Sequence, residues 1–514
     1  MKTLNTTTGA YWGKNQSNCL FSINGIRTML KCVALLLAFL FVGGNDAWGA
    51  DLTINNDNNR TINGNESYVN VTIKSGNRAS YITIPKNATL TVTGTLTIES
   101  PTSNNNNRRK YVKVENGGKL IVNNVVFKNT NGDDYDSYIE IQDNASVEVK
   151  GSITMTENAP KRNYILFSGN GTLNVDGTII GGGITSTSGG GGASKYGTVI
   201  YTGAKSTVVG ALKYNNLSLI AGKTYTSNGS IDVNGQLSVN SNATWNFNGA
   251  GNTLNLQGAI ACGGTLNVNG SVYIGLNAQN IIQGTYNKLY FSSSLTSTGY
   301  YNLCGDITIT SAYFSNTFGT VFSTSHNISF NGISNPENAT INASAGTVTY
   351  NSSQSIIKGT YNNLSFASAK GAKSLYGDVI VNGTLTWPDG NINLETYNFT
   401  VNPNNISNTT YSNTHMFVCN GTANTGKLIF QCNNSADFTN LKFPIGTGTT
   451  YNMVTVNTAT VSGGTGKIGF AEAPVSGSGN PTDLQRYWPT IMENVSGVNV
   501  TLKYYDGDVP TDVV

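Results

Sequence analysis

The 514-residue sequence contains little charge. Only 11% of its residues are Asp, Glu, Lys or Arg, against roughly 25% in typical globular domains. It has two histidines, His326 and His415, which lie far apart and give little support to a histidine general base or to a His-rich metal site. Most polar positions are therefore uncharged Asn, Thr and Ser, a composition that favours short strands joined by tight turns over long helices.

Motifs of common enzyme classes are also missing. The sequence has no GxSxG nucleophile elbow, no HExxH zinc motif and no Walker A lysine. The glycine run at residues 181–194 lacks the Gly-Lys-Ser/Thr ending of a phosphate-binding loop and predicts a flexible loop or a seam. We therefore expect a protein that is not an enzyme and that holds no organic cofactor.

Cysteine is scarce. Four of the six cysteines, Cys262, Cys304, Cys419 and Cys432, follow the N-terminal region, and none shows CxxC spacing, so a structural zinc site is not expected. The segment CNGTANTGKLIFQC, from Cys419 to Cys432, has the pattern of two short strands around a loop, which is compatible with a Cys419–Cys432 disulfide in an exported protein. A pair of buried free thiols is the alternative.

The N-terminal region has the pattern of a secretory signal peptide. Ten apolar residues, VALLLAFLFV, follow Arg27 and Lys31, and AWGAD supplies a small-residue cleavage site after Gly49 or Ala50. Ten residues are too few to span a bilayer, which needs about 20. We therefore expect secretion and no integral membrane segment.

The methionine at position 29 by itself begins a compact signal. We therefore expect residues 29–49 to be the signal peptide and residues 1–28 to be a start-site extension. Removing residues 1–49 takes away four of the 30 bases and one of the 27 acids, which leaves 26 of each. A chain without net charge has no electrostatic footprint for nucleic acid, so we expect no such partner.

A short strand pattern, apolar-x-apolar-x-Gly-x-apolar, recurs along the chain. It occurs in LTVTGTLTI, VEVKGSITM, LNVDGTII, IDVNGQLSV, LNLQGAIAC, LNVNGSVYI and VIVNGTLTW. A two-residue hairpin turn at Asp176-Gly177 would mix apolar and polar side chains on each face, whereas a chain that runs on through the glycine keeps Leu173 and Ile179 on one face. We therefore predict strands that turn corners without reversing and stack as coils of a solenoid.

The spacing of these strands predicts the coil length. The leading positions Leu90, Leu120, Val147 and Leu173 lie 30, 27 and 26 residues apart, which suits one coil each.

A longer repeat, Tyr-Asn-x-Leu, begins at Tyr214, Tyr286 and Tyr361, so successive copies are offset by 72 and 75 in the numbering. Each offset divides into three coils of about 24–25 residues, within the usual repeat range of roughly 20–45. We predict that the Leu and Phe of this element fill the core and that its Asn supports a turn. The alternative is that the three tyrosines form an aromatic sugar-binding stripe.

Two stretches resemble a known family. The segments GTYNNLSF and SLYGDVIVNGTLTWPDGNINLETYNFTV resemble repeats of adhesin-like parallel β-helix proteins that Gram-negative bacteria secrete. From Lys427 onward, FPIGTGTTYNMVTV, LQRYWPTI and VTLKYYDGDV resemble the β-sandwich-like module that follows such repeats in type IX-secreted surface proteins. The resemblance covers about residues 200–514.

The resemblance and the strand pattern together imply an all-β chain: a right-handed parallel β-helix solenoid followed by a partial β-sandwich-like C-terminal module. We expect irregular β-helix coils over 51–200 and the 72–75-residue repeats over 201–426. The sandwich-like module would occupy 427–514. Because family members usually continue into a sorting domain, we expect this module to be truncated and the protein to reach the bacterial cell surface.

Few charged clusters could carry chemistry. Asp133, Asp134 and Asp136 could supply oxygen ligands to Ca²⁺, with a solvated loop as the alternative. The basic run of residues 108–110 could contact an acidic glycan, with a solvated turn as the alternative. Acidic residues 506 and 508 predict a turn.

The expected function follows from the uncharged outward positions of the predicted strands. We expect a secreted or cell-surface structural or adhesive repeat protein that presents a polar β-solenoid face to glycans or host matrix proteins. The alternative is a β-helix carbohydrate-active enzyme, a polysaccharide lyase or hydrolase, which would need paired carboxylates or basic residues with bound calcium on one coil face.

Overall fold

The computed structural model describes residues 49–503. Excepted are residues 56, 276 and 449 and the ranges 102–107, 129–135, 156–162, 187–194, 292–299, 316–319, 353–354, 367–370, 420–423 and 475–485. The predicted start-site extension, the signal peptide up to residue 48, Asp133, Asp134, Asp506 and Asp508 lie outside the described residues.

The described chain is all-β and forms a parallel β-helix. Strands of successive coils pair in parallel and in register: Leu90 with Leu120, Leu120 with Val147, and Val147 with Leu173. The prediction that these four positions begin successive coils is confirmed. The right-handed sense of the coil stays a prediction.

Two sheets, A and B, form the first part of the solenoid. Sheet A contains Leu52–Ile54, Asn65–Tyr68, Val71–Ile73, Thr89–Glu99, Lys119–Lys128, Ser146–Val149, Ile153–Met155, Thr172–Val175, Ile179–Ile180, Thr198–Tyr201, Asn216–Leu219, Leu237–Val239 and Ile260–Ala261. Sheet B contains Arg60–Thr61, Ser80–Ile84, Lys110–Val114, Ser137–Ile141, Asn163–Phe167 and Gly183–Thr185.

Three sheets, C, D and E, form the later part. Sheet C contains Lys213–Tyr214, Thr224–Ser227, Ile231–Val233, Thr244–Phe247, Thr253–Leu256, Thr265–Ile274, Gly284–Phe291, Ile307–Phe314, Ile328–Phe330, Ile333–Ser334, Thr347–Tyr350, Asn363–Phe366 and Leu385–Thr386. Sheet D contains Asn280–Ile281, Tyr300–Leu303, Thr320–Thr324, Ala339–Ala343, Lys358–Tyr361, Val379–Val381, Phe399–Val401, Leu428–Cys432, Gly466–Phe470 and Thr490–Glu493. Sheet E contains Ser355–Ile356, Lys373–Leu375, Ile392–Glu395, Phe417–Cys419, Leu441–Thr447, Thr450–Val461 and Val495–Leu502.

The remaining elements are short. Ala473–Pro474 pairs with Arg486–Tyr487, and the 3₁₀ turns of the described chain are Pro336–Asn338, Pro403–Asn405 and Ser435–Phe438. No helix among the described residues is long and apolar enough to cross a membrane.

Glycine marks the corners between strands, as the strand pattern predicts. The backbone N–H of Gly177 donates to the carbonyl of Gly151 in the preceding coil, at 2.8 Å. A Cβ built on Gly177 would collide with that carbonyl, and one built on Gly151 would collide with the side chain of Asn124 below it. The coils approach each other too closely at this corner for any side chain, which explains the glycine.

The coils become shorter from about residue 199 onward. Val199 pairs with Leu217, and Leu217 pairs with Leu237, a much shorter step per coil than that from Leu90 to Leu120, because the turns between strands there take only a few residues. The expectation of three equal coils between successive Tyr-Asn elements is therefore wrong. Tyr286 lies in sheet C whereas Tyr361 lies in sheet D, since the stretch between them does not make a whole number of coils.

The Tyr-Asn element holds a buried corner of the solenoid through hydrogen bonds, and we call it the corner clamp. Each tyrosine is buried, and its hydroxyl donates to the carbonyl four residues earlier: Tyr214 to Gly210, Tyr286 to Ile282 and Tyr361 to Ile357.

The asparagine that follows each tyrosine donates to a carbonyl of the preceding coil. Asn215 bonds Gly197 at 3.4 Å, Asn287 bonds Asn269 at 3.0 Å, and Asn362 bonds Gly346 at 3.3 Å. The tyrosine therefore bonds the corner to its own turn, and the asparagine bonds it to the preceding coil. The Leu at the fourth position of the element is buried in each copy.

The last coils pass into antiparallel pairs without a break in the core. Leu428–Cys432 pairs in parallel with Phe399–Val401 and antiparallel with Gly466–Phe470. Sheet E makes the same change at Leu441–Thr447, which pairs antiparallel with Thr450–Val461. The aromatic rings of Phe430, Phe443 and Phe470 meet between sheets D and E, so the two sheets face each other across a common core, as in a sandwich.

Candidate glycan-binding face

Outward side chains of sheet C line up in columns, because successive coils pair in register and side chains alternate along each strand. The central column takes one residue from each of nine coils: Thr226, Asn246, Asn267, Thr285, Thr308, Ser329, Thr349, Ser365 and Thr386. The asparagine column lies two residues further along the chain, within each strand or directly after its end: Asn248, Asn269, Asn287, Thr310, Asn331 and Asn351.

We call these two columns together the amide–hydroxyl face. All of its side chains are uncharged, and at about 4.8 Å per strand its nine coils extend over about 38 Å. An open groove of about 400 Å³ follows both columns between Asn246 and Thr310. Such a surface offers many hydrogen-bond donors and acceptors and no focused charge.

Hydrogen bonds between coils fix the side chains of this face. Asn267 donates to the side chain of Asn246 at 3.0 Å and accepts from the hydroxyl of Thr285 at 2.7 Å. Asn351 donates to the side chain of Asn331 at 2.8 Å. Side chains held in this way lose little conformational entropy when a ligand binds, so the face is pre-organised.

A tyrosine stack borders the amide–hydroxyl face on the same strands. Tyr273, Tyr290 and Tyr313 are register partners in three successive coils. Their ring centroids lie 4.5 and 4.4 Å apart, and both pairs are within 8° of parallel. An open groove of about 470 Å³ runs along the stack and is lined by uncharged residues, with Asn255 and Gln257 at one end.

Sequence reasoning expected any sugar-binding stripe at Tyr214, Tyr286 and Tyr361, and this alternative is wrong because all three are buried. It missed Tyr273, Tyr290 and Tyr313. The available signal was a tyrosine directly before the buried residue that ends each strand, as in VYI, LYF and AYF.

A second stack serves packing instead. Tyr81, Tyr111, Tyr138 and Tyr164 stack on sheet B with centroids 4.8–5.2 Å apart. Tyr138 and Tyr164 are buried and form a small cluster with Leu166.

The acidic cluster is only partly described. Asp136 is buried, and one of its carboxylate oxygens lies 3.4 Å from Nε of Arg109. Within the part of the chain that the structure describes, no group of three or more His, Cys, Asp or Glu side chains could hold a metal ion. The Ca²⁺ expectation for Asp133, Asp134 and Asp136 stays a prediction.

The basic run is largely structural. Lys110 is fully buried, and its ammonium donates to the carbonyl of Arg78 at 2.6 Å and to the hydroxyl of Ser80 at 3.1 Å. Burial lowers the pKa of Lys110 to about 8. With Lys110 buried and Arg109 beside Asp136, a solvated turn does not describe these two residues, and the contact with an acidic glycan stays a prediction.

The prediction of a Cys419–Cys432 disulfide is wrong, and the structure shows the alternative, a pair of buried free thiols. Cys419 and Cys432 are free and buried, and burial raises the pKa of each thiol to about 12. Their strands do not pair with each other: one belongs to sheet E and the other to sheet D. The disulfide joins Cys262 to Cys304, whose Cα atoms lie 5.5 Å apart.

A buried carboxylate lies near the thiol of Cys419. Glu472 is fully buried and accepts hydrogen bonds from Asn452 at 2.6 Å, from Thr447 and from Arg486. These bonds tie sheet E to the short Arg486–Tyr487 strand, and a carboxylate held in this way is a structural anchor.

Comparison with protein-family models, with curated proteins and with solved structures found no match.

Proposed function

We propose that this chain is a secreted, non-enzymatic surface protein of a Gram-negative bacterium, and that its β-helix binds glycans. The observation that carries the proposal is the amide–hydroxyl face, an uncharged and pre-organised surface about 38 Å long with an aromatic stack along its border. Amide and hydroxyl groups exchange hydrogen bonds with sugar hydroxyls, and aromatic rings pack against the apolar faces of sugar rings.

Several further features support an adhesive protein exposed to the outside of the cell. The N-terminal sequence has the pattern of a signal peptide, and the segments of residues 359–366 and 374–401 resemble repeats of secreted adhesins. A disulfide between Cys262 and Cys304 suits an oxidising environment. Repetition of one polar motif over many coils favours multivalent attachment to a repeating polymer.

The first experiment separates binding from catalysis. The purified chain, with and without Ca²⁺, is applied to insoluble polysaccharides and to immobilised matrix proteins, and retained protein and newly formed sugar ends are recorded together. We expect retention on glycan without new sugar ends. New sugar ends would contradict the proposal and support the carbohydrate-active enzyme, and retention only on matrix proteins would shift the partner from glycan to protein.

Matched variants test whether the amide–hydroxyl face is the binding surface. Thr285→Glu and Thr310→Glu place a carboxylate on exposed positions of the central and asparagine columns. The control, Asn342→Glu, places the same charge on an exposed position of sheet D. We expect the first two to reduce retention on neutral glycan and the control to leave it unchanged; equal loss in all three would contradict the assignment of the face.

A further inference from the structure

At its Tyr273 end, the tyrosine stack has an open ring face beside a pair of amide side chains. Tyr290 lies between Tyr273 and Tyr313, so both of its ring faces are covered. Tyr273 is covered on one side only, and its register partner on the other side is Asn255. Asparagine is shorter than tyrosine, which leaves the outer part of the Tyr273 ring open. Tyr273 is accordingly 40% exposed.

Polar groups frame this open ring face. Asn255 donates its amide N–H to Asp232, which leaves the amide oxygen of Asn255 able to accept from a ligand. The side chain of Gln257 lies against Gly275, in the coil of Tyr273, and lines the same groove. The site therefore combines one flat apolar surface with two amide groups.

The charge balance of the site favours a neutral ligand. Asp232, which accepts from Asn255 through one carboxylate oxygen, is a charged neighbour of the site. Its second carboxylate oxygen lies 3.4 Å from the ammonium of Lys213. The described residues that line the groove are all uncharged. No described residue of the groove lining offers a cation to a polyanionic glycan, and the outward lysine of the next coil, Lys288, precedes Tyr290 by two residues and is not part of that lining. A neutral sugar requires no cation.

We infer that Tyr273, Asn255 and Gln257 form a subsite for one hexose ring of a neutral polysaccharide. This inference rests on the proposed function and names its ligand class. The sugar ring stacks its apolar C–H face on Tyr273 and continues the tyrosine stack toward Asn255. Its hydroxyls donate to the amide oxygen of Asn255 and exchange hydrogen bonds with Gln257, and the adjoining sugars extend along the groove.

The test measures dissociation constants of the purified full chain for soluble probes: dextran, laminarin and mannan as neutral polysaccharides, and alginate and polygalacturonate as acidic ones. Tyr273→Ala should weaken binding of the neutral probe at least about tenfold, the usual loss when a stacking platform is removed. Tyr273→Phe keeps the ring and should remain within about twofold of the wild type. The control is Tyr300→Ala, on sheet D, where the side chain is 51% exposed; it should change nothing.

The outcomes separate this inference from the proposal on which it rests. If the wild type binds a neutral probe and Tyr273→Ala binds it equally well, the subsite is refuted and the glycan-binding function stands. Binding of acidic probes alone would also refute the subsite. If the wild type binds no polysaccharide, both the subsite and the proposed function fail.

Discussion

Substitution of Tyr361 by phenylalanine tests the corner clamp. The hydroxyl of Tyr361 donates to the carbonyl of Ile357, and it lies 2.8 Å from the hydroxyl of Tyr350. Tyr350 in turn accepts from the backbone N–H of Ile357 at 3.1 Å. Because the single proton of Tyr361 is used at Ile357, Tyr350 must donate to Tyr361. All three residues are buried, so water cannot replace a lost partner.

The network fixes the expected loss of stability. Tyr361→Phe leaves two buried groups unsatisfied, the Ile357 carbonyl and the Tyr350 hydroxyl, at about 1–3 kcal/mol each. Tyr350→Phe leaves only the Ile357 N–H without a partner. The double variant again leaves two groups, the N–H and the carbonyl of Ile357. We therefore expect its loss to fall short of the sum of the single losses by about one unsatisfied group, about 1–3 kcal/mol.

The assay is equilibrium unfolding in urea followed by circular dichroism. Tyr376→Phe is the control, because this tyrosine is 37% exposed and its substitution should stay within about 0.5 kcal/mol of the wild type. Tyr361→Phe should lower the free energy of unfolding by about 2–6 kcal/mol. A loss equal to that of the control, or fully additive losses in the double variant, would refute the clamp.

Three further predictions concern the disulfide and the buried titratable groups. Cys304→Ser should lower the free energy of unfolding by about 4 kcal/mol, because the disulfide closes a 42-residue loop in the unfolded chain. In the variant, a reductant should no longer lower the free energy of unfolding in urea. If the reductant still lowers it, the Cys262–Cys304 pairing is contradicted. Burial raises the pKa of Tyr201 to about 12 and also raises the pKa of Tyr214 well above its ordinary value, so the stability that they contribute is fully present below pH about 10 and is lost as pH rises toward 12. The tyrosinate absorbance that a Tyr201→Phe/Tyr214→Phe variant lacks should appear together with the loss of circular dichroism, and ionisation of these two tyrosines in a still folded chain would contradict their burial. Burial lowers the pKa of Lys110 to about 8, so the free energy of unfolding should rise between pH 8 and pH about 10, because only the folded state loses this proton there. Urea unfolding at pH 7.5 and at pH 9.5 should show that Lys110→Met removes this rise. An unchanged rise in the variant would assign it to other groups.

The strand pattern predicted much of the fold, because period-two alternation decides which side chains face the core. It placed Leu120, Val147 and Leu173 on successive coils, and it placed Gly177 at a corner. The number of coils between distant repeats could not be predicted, because coil length depends on how tightly each corner turns. The long, nearly even steps of the first coils gave no warning of the short step from Val199 to its partner Leu217.

The same limitation explains why the tyrosine stack and the disulfide were missed. Tyr273, Tyr290 and Tyr313 are unevenly spaced in the sequence, and only the register of the coils brings them into one stack. Cys419 and Cys432 suggested a hairpin because their strands are neighbours in sequence. In a solenoid a strand pairs with the coils above and below it and not with its neighbour in sequence, and the strands of Cys419 and Cys432 belong to different sheets.

The most direct test of the glycan-binding face is hydroxyl-radical footprinting of the purified chain with and without a bound polysaccharide, read by mass spectrometry. Three exposed tyrosines report on different sheets: Tyr273 lies in the stack on sheet C, Tyr300 lies on sheet D, and Tyr376 directly follows a strand of sheet E. We predict that bound glycan protects Tyr273 and leaves Tyr300 and Tyr376 as reactive as before. Protection of Tyr300 or Tyr376 with an unchanged Tyr273 would contradict the account and place the binding surface elsewhere.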